Sequence, residues 1–233
     1  NDATPNFLFR NDSGHFVEVG LFAGVAYNQG GKPEGTMGVD VADFDGDGHL
    51  DLVMTNFQWE SNTLYRNQGN GLFKDVSMDA GLAATSLDRL AFGINFLDAD
   101  LDGDQDLYVA NGHIDEDIGR FDPQATYGQR DQLYLNDGQG RFTDVSEAAG
   151  LYLTIDLVGR GSAVADYDND GDADLLLVNT AQRAVLLRNE TDGAGNWLAL
   201  DLEGRVSNRD GYGARVVVQV GGRGLVAEKR SAA

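Results

Sequence analysis

One acidic pattern, D-x-D-x-D-G-x-x-D, occurs three times in this 233-residue chain and limits what the chain can become. The copies are Asp43, Asp45, Asp47 and Asp51 around Gly48; Asp98, Asp100, Asp102, Asp104 and Asp106 around Gly103; and Asp166, Asp168, Asp170, Asp172 and Asp174 around Gly171. Carboxylates at alternate positions repel one another unless a cation sits among them. A hard cation such as Ca2+ takes six to eight oxygen ligands. Positions 1, 3 and 5 would supply side-chain oxygens, and position 9 (Asp51, Asp106, Asp174) would close the site. Position 7 (His49, Asp104, Asp172) would offer its backbone carbonyl. Position 6 is glycine in every copy, where a sharp turn can use a left-handed backbone at little cost. These fifteen residues are the candidate metal ligands, for about three Ca2+ ions.

The loops are not EF-hands, which need a glutamate at position 12. That position holds Met54, Val109 and Leu177, inside short apolar runs that read as strands: 51–56, 106–111 and 174–179.

The formal charge is −21, from 17 basic and 38 acidic residues, and the loops hold four acids in the first copy and five in each of the others. Three Ca2+ ions would leave about −15. Such a surface argues against nucleic acid or an anionic membrane as partner, since both attract basic patches. The chain has no cysteine, which excludes disulfides, thiolate metal sites and cysteine nucleophiles. No apolar run is long enough to insert as a membrane helix. The opening Asn1–Asn6 segment is not a signal peptide. Loops of this kind fill at the Ca2+ levels found outside cells, so an extracellular, cell-surface or periplasmic setting is expected. Asn11-Asp12-Ser13 and Asn189-Glu190-Thr191 fit the glycosylation pattern, which is common by chance.

The loops sit in a longer repeat. A box of two apolar residues ending in asparagine recurs at 7–11, 63–67, 132–136 and 185–189; a Phe-x-x-Val segment starts at Phe16, Phe73 and Phe142; an Ala-Gly-apolar turn follows at 23–25, 80–82 and 149–151. From the box asparagine to the next loop the spacing is 32, 31 and 30 residues. Each unit yields four short strands: into the loop, out of it, through the box, and through the Phe segment. Four-stranded units of this size suit β-propeller blades, which bury both sheet faces only by stacking. Phe73, Phe142, Tyr65 and Tyr134 read as packing between blades.

Two stretches break the repeat. An insertion follows Asn111 and runs to Arg130, with His113 beside Asp115, Glu116 and Asp117 as a candidate further site. After Asn189 the pattern stops: 196–202 and 216–220 alternate like strands, and Gly221-Gly222 would turn the latter into a last strand over 225–230.

The acidic loops set between strands, with Phe92-Gly93 before the second, resemble FG-GAP or VCBS-type repeats. The box at Leu133–Val145 is similar to the same family. Asn111-Gly-His-Ile114, with Asn196-Trp-Leu198 and Ser207–Val216, is similar to the ASPIC/UnbV (cartilage acidic protein-like) group. The resemblance implies an all-β chain: calcium-binding propeller blades over 1–190, a partial propeller, then the start of a small ASPIC/UnbV-like β domain over 191–233. Because propellers of this type close with more blades than are present here, the chain reads as a segment of a larger protein or as one that associates. The resemblance implies no known reaction.

The leading expectation is a non-enzymatic interaction or structural module with a protein or glycan partner, or self-assembly. A subunit of a surface filament or array is the alternative. A metal-assisted hydrolase using the 111–130 insertion is the other; it lacks G-x-S-x-G, H-E-x-x-H and a phosphate-binding loop.

Overall fold

The computed structural model describes residues 3–191, 197–206 and 208–229, without the side chains of Leu151 and Arg223. The chain is all-β apart from single turns of helix. It opens on a hairpin, β1 (Phe9–Asp12) with β2 (His15–Glu18), followed by α1 (Gly20–Ala23). The first complete blade is a four-stranded antiparallel meander: β3 (Val39–Ala42), β4 (Asp51–Met54), β5 (Thr63–Asn67) and β6 (Phe73–Asp75). After α2 (Leu82–Ser86) the second blade repeats it with β7 (Ala91–Leu97), β8 (Asp106–Asn111), β9 (Gln132–Asn136) and β10 (Phe142–Asp144). The third has three strands, β11 (Gly159–Ala165), β12 (Asp174–Asn179) and β13 (Val185–Leu187). The four-strand expectation is therefore met in two units, and the third, which no Phe segment follows in the sequence, has three strands among the described residues.

Stacking, not pairing, makes the core. The loop-entering strands lie side by side, β3 against β7 and β7 against β11. The first seam buries Phe44, Val53, Leu64, Ile94, Phe96 and Val109, and the second buries Leu97, Tyr108, Ala110, Leu175 and Leu177. Glycine sets the approach of the inner strands. A Cβ on Gly93 would lie 2.7 Å from both the Ser162 nitrogen and its hydroxyl, and a Cβ on Gly38 would overlap the Phe92 carbonyl. Phe142 reaches back to Phe44 of the first loop, the two rings tilted with centroids 6.0 Å apart, and joins that seam's core. At the second seam a groove of about 620 Å3 remains, bordered by Leu133, Leu135, Val145, Leu175 and Leu187.

The insertion folds onto the blade ends. Trp59 Nε1 donates to Asp122 at 2.9 Å, Gln129 bridges to Leu157, and Arg160 donates to the carbonyls of Gly112 and His113. In the tail, β14 (Arg215–Val220) and β15 (Arg223–Glu228) form the expected hairpin, with positive φ at Gly221 and Gly222. Residues 197–202 are not a strand; their alternation finds no ladder partner among the described residues, and a strand needs one. Asn1, Asp2, Asn196, Ser207 and Arg230–Ala233 lie outside the described residues.

Candidate metal centre

Each acidic loop joins an inner strand to its neighbour, β3 to β4, β7 to β8 and β11 to β12, so all three lie at the same end of their blades. Their backbones repeat closely. Position 6 takes φ of +88°, +88° and +99° at Gly48, Gly103 and Gly171, as expected. Position 4 is left-handed too, at Gly46, Leu101 and Asn169, with φ of +71°, +63° and +63°. Leucine gains nothing from that conformation, so Leu101 holds it because the loop around it demands it.

The two left-handed turns gather carboxylates. Asp43, Asp45 and Asp51 offer oxygens within 4.8 Å of one another, as do Asp98, Asp100 and Asp106, and Asp166, Asp168 and Asp174. Position 5 stands apart: Asp47, Asp102 and Asp170 accept the N–H of position 7, from His49 at 2.8 Å, Asp104 at 2.8 Å and Asp172 at 3.1 Å. The His49 ring also lies on Asp47, with Nδ1 2.9 Å from its carboxylate.

The closing aspartates are the most deeply set. Asp51 and Asp106 are fully buried. Asp51 accepts N–H groups of Asn67 (2.7 Å) and Phe44 (3.2 Å), and Asp106 those of Asn136 (2.8 Å) and Ala99 (2.8 Å). Burial outweighs these bonds and pushes each carboxyl up to about 7. Asp43, Asp45, Asp98 and Asp100 are raised as well, by burial first and by neighbouring carboxylates after it.

The leading aspartates test whether a cation fits. Gly48 N–H donates to Asp43 Oδ2 and Gly103 N–H to Asp98 Oδ2, both at 2.9 Å. The other oxygen of each, Asp43 Oδ1 and Asp98 Oδ1, is buried without a hydrogen-bond partner. A buried acceptor left unpaired is costly. Two oxygens orphaned at the same place in two loops, each beside two further carboxylates, suit a hard cation.

The box asparagines, to which sequence reasoning assigned no chemistry, hold these loops. Asn67 and Asn136 give their backbone N–H to the closing aspartate and their side-chain N–H to the loop carbonyls of Leu50 (2.9 Å) and Gln105 (3.0 Å). They also stitch neighbouring blades. Asn136 Nδ2 donates to Phe44 O at 2.8 Å and Asn189 Nδ2 to Ala99 O at 2.9 Å, each reaching position 2 of the preceding loop. Their recurrence four residues after the start of each box was the available signal.

The insertion assembles no second centre with its neighbouring acids. His113 is buried, its ring edge-on to Phe57, and its Nδ1 accepts the Asp115 N–H at 3.0 Å. Asp115, Glu116 and Asp117 face solvent, and among the described residues His113 joins no group of potential metal ligands.

A family model of the FG-GAP-like repeat matches residues 1–54, 43–109 and 119–177, well over half the chain. Cartilage acidic protein 1 of Xenopus tropicalis is 29% identical over 227 residues, covering 92% of this chain and 30% of that protein. The Mus musculus and Homo sapiens proteins of the same name are each 29% identical over 226 residues, with the same coverage. The chain thus spans about 30% of the length of these curated relatives. A solved structure of an Agrocybe aegerita lectin, described as recognising non-reducing terminal N-acetylglucosamine, aligns with a TM-score of 0.42 at 20% identity, over 94% of this chain and 53% of that one.

Proposed function

The chain belongs to the FG-GAP-like repeat family, and from that premise we propose that it is a calcium-organised propeller module that presents an acidic surface to a protein or glycan partner outside the cell. Residues 1–190 form its blades and 191–233 open a small ASPIC/UnbV-like β domain. The observation that carries the calcium reading is the pair of buried, partnerless oxygens, Asp43 Oδ1 and Asp98 Oδ1, each within a carboxylate triad. Asp43, Asp45 and Asp51 would hold one ion, Asp98, Asp100 and Asp106 another, and Asp166, Asp168 and Asp174 the third loop's. Asp47, Asp102 and Asp170 and the position-7 residues complete the shells. The ion supplies charge neutralisation. The chain supplies rigidity through its left-handed turns and asparagine stitches, and so holds the blade ends in one shape for a partner to read.

Calorimetric Ca2+ titration of chelator-treated protein tests this. Asp43→Ala and Asp98→Ala should each lower the number of ions bound by one. Bound Ca2+ should raise the melting temperature, with a gain of about 2.7 kcal/mol per site at 100 times its dissociation constant. Absence of binding heat in the unaltered protein, with melting unchanged by Ca2+, would end the calcium reading.

A further inference from the structure

The three loops are alike in sequence and unlike in their surroundings. In the third, Arg188 of the box forks onto two carboxylates: its Nε lies 2.9 Å from Asp168 Oδ2 and its Nη2 3.0 Å from Asp170 Oδ2. In the first, Arg66 stands at the same place in the box but makes one longer approach, 3.6 Å to Asp45 Oδ2. The second blade has Leu135 there. A two-point arginine contact with carboxylates is stronger and better defined than a single long one.

A second, independent difference lies in the leading aspartate. Asp43 and Asp98 each keep one buried oxygen without a partner. Asp166 has both oxygens engaged, Oδ1 by the Asp170 N–H at 3.1 Å and Oδ2 by the Gly171 N–H at 3.0 Å. The third loop closes on its own backbone and on a built-in cation, where the other two leave an oxygen waiting.

We propose that Arg188 is the resident counter-ion of the third loop, so that the chain carries two tight calcium sites and one weak site that an entering ion fills only by displacing the guanidinium from Asp168 and Asp170. This rests on the calcium reading above and ranks the sites within it. The arginine makes loop three a graded site, answering to a higher Ca2+ concentration than loops one and two.

The test is Ca2+ titration, by calorimetry, of the full chain, Arg188→Leu and Arg66→Leu; leucine is the residue the second blade already carries there. A site-resolved readout comes from Trp197, whose ring lies over Gly171 of the third loop. Terbium emission excited through tryptophan, and lost in Trp197→Phe, reports filling of that loop. Two sites should fill first in the unaltered protein, with the third at least tenfold weaker and carrying the terbium signal. Arg188→Leu should bring the third site to within about threefold of the others, and Arg66→Leu should leave the order of filling unchanged. Three equal sites in the unaltered protein would overturn the proposal while leaving the calcium reading intact. A third site still weak in Arg188→Leu would overturn it too, assigning the weakness to the exposed backbone of that loop. Binding at no loop would instead overturn the calcium reading.

Discussion

Asp131 and Asn62 occupy the same place in successive blades and do the same work with different chemistry. Asn62 Oδ1 accepts the Asn56 N–H, and Asp131 Oδ1 accepts the Asn111 N–H at 2.7 Å. Asp131 also accepts the Tyr108 hydroxyl at 2.5 Å, and burial pushes its carboxyl up to about 6 while raising the tyrosine. An unfolded aspartate titrates near 3.9. Between these values the folded chain holds a proton that the unfolded chain has released. The group's contribution is therefore present in full below about 4 and is lost as pH rises through about 6. Asp131→Asn, which copies the first blade, should fold and lack this dependence. The stability of the unaltered protein minus that of the variant should fall between pH 4 and 7 in urea melts with chelator present; a flat difference would contradict the buried carboxyl. At this scale the gathering of the first, third and ninth acids of each loop was readable, because a nine-residue pattern repeated three times leaves few alternatives. Arg188 and the asparagine stitches were not, since their partners lie on other segments and their importance depends on how the blades stack.

At the level of elements, the seam between inner strands depends on the absence of side chains. Gly93→Ala would set a methyl 2.7 Å from Ser162 N and Oγ, with backbone on the far side. Overpacking of this kind costs about 1–3 kcal/mol, and chemical denaturation should show a loss in that range; an unchanged midpoint would mean the inner strands separate freely. Strands β4, β5, β8 and β12 were legible because each leaves an acidic loop or forms the box and carries a short apolar run. The Ala-Gly turns were legible only as punctuation. Gly24 and Gly81, with φ of +86° and +87°, bring each blade's turn against the Phe73 and Phe142 carbonyls of the next. The segment over 197–202 misled, because its alternation describes what a strand would look like and not whether another strand is there to receive it.

Taken whole, the molecule is a stack of weakly self-sufficient sheets under a large negative charge. The formal charge is −21, and self-repulsion at that charge opposes the compact state. Monovalent salt should therefore raise the melting temperature of the chelated protein more than that of the calcium-loaded one, read by scanning calorimetry across a salt series; equal slopes would place the repulsion outside the loops. Among the described residues no helix is long and apolar enough to cross a membrane. Phe7, Phe9, Phe16 and Phe22 are more than half exposed around the opening hairpin. The blade repeat and its all-β class were legible because the units share one register, while the stacking contacts depend on geometry that no single unit contains. The asparagine stitches also impose an order in time. Asn136 closes on Phe44 across 92 residues of chain, and Asn189 on Ala99 across 90. Contacts so distant in sequence form late. A blade emerging from the ribosome can pair its own strands at once and hold its loop with its own box asparagine, yet the bond that ties that loop to a neighbour waits until the box of the following blade has been made. Maturation then runs as a travelling boundary one blade behind synthesis, with the most recently made loop the one not yet tied to a neighbour.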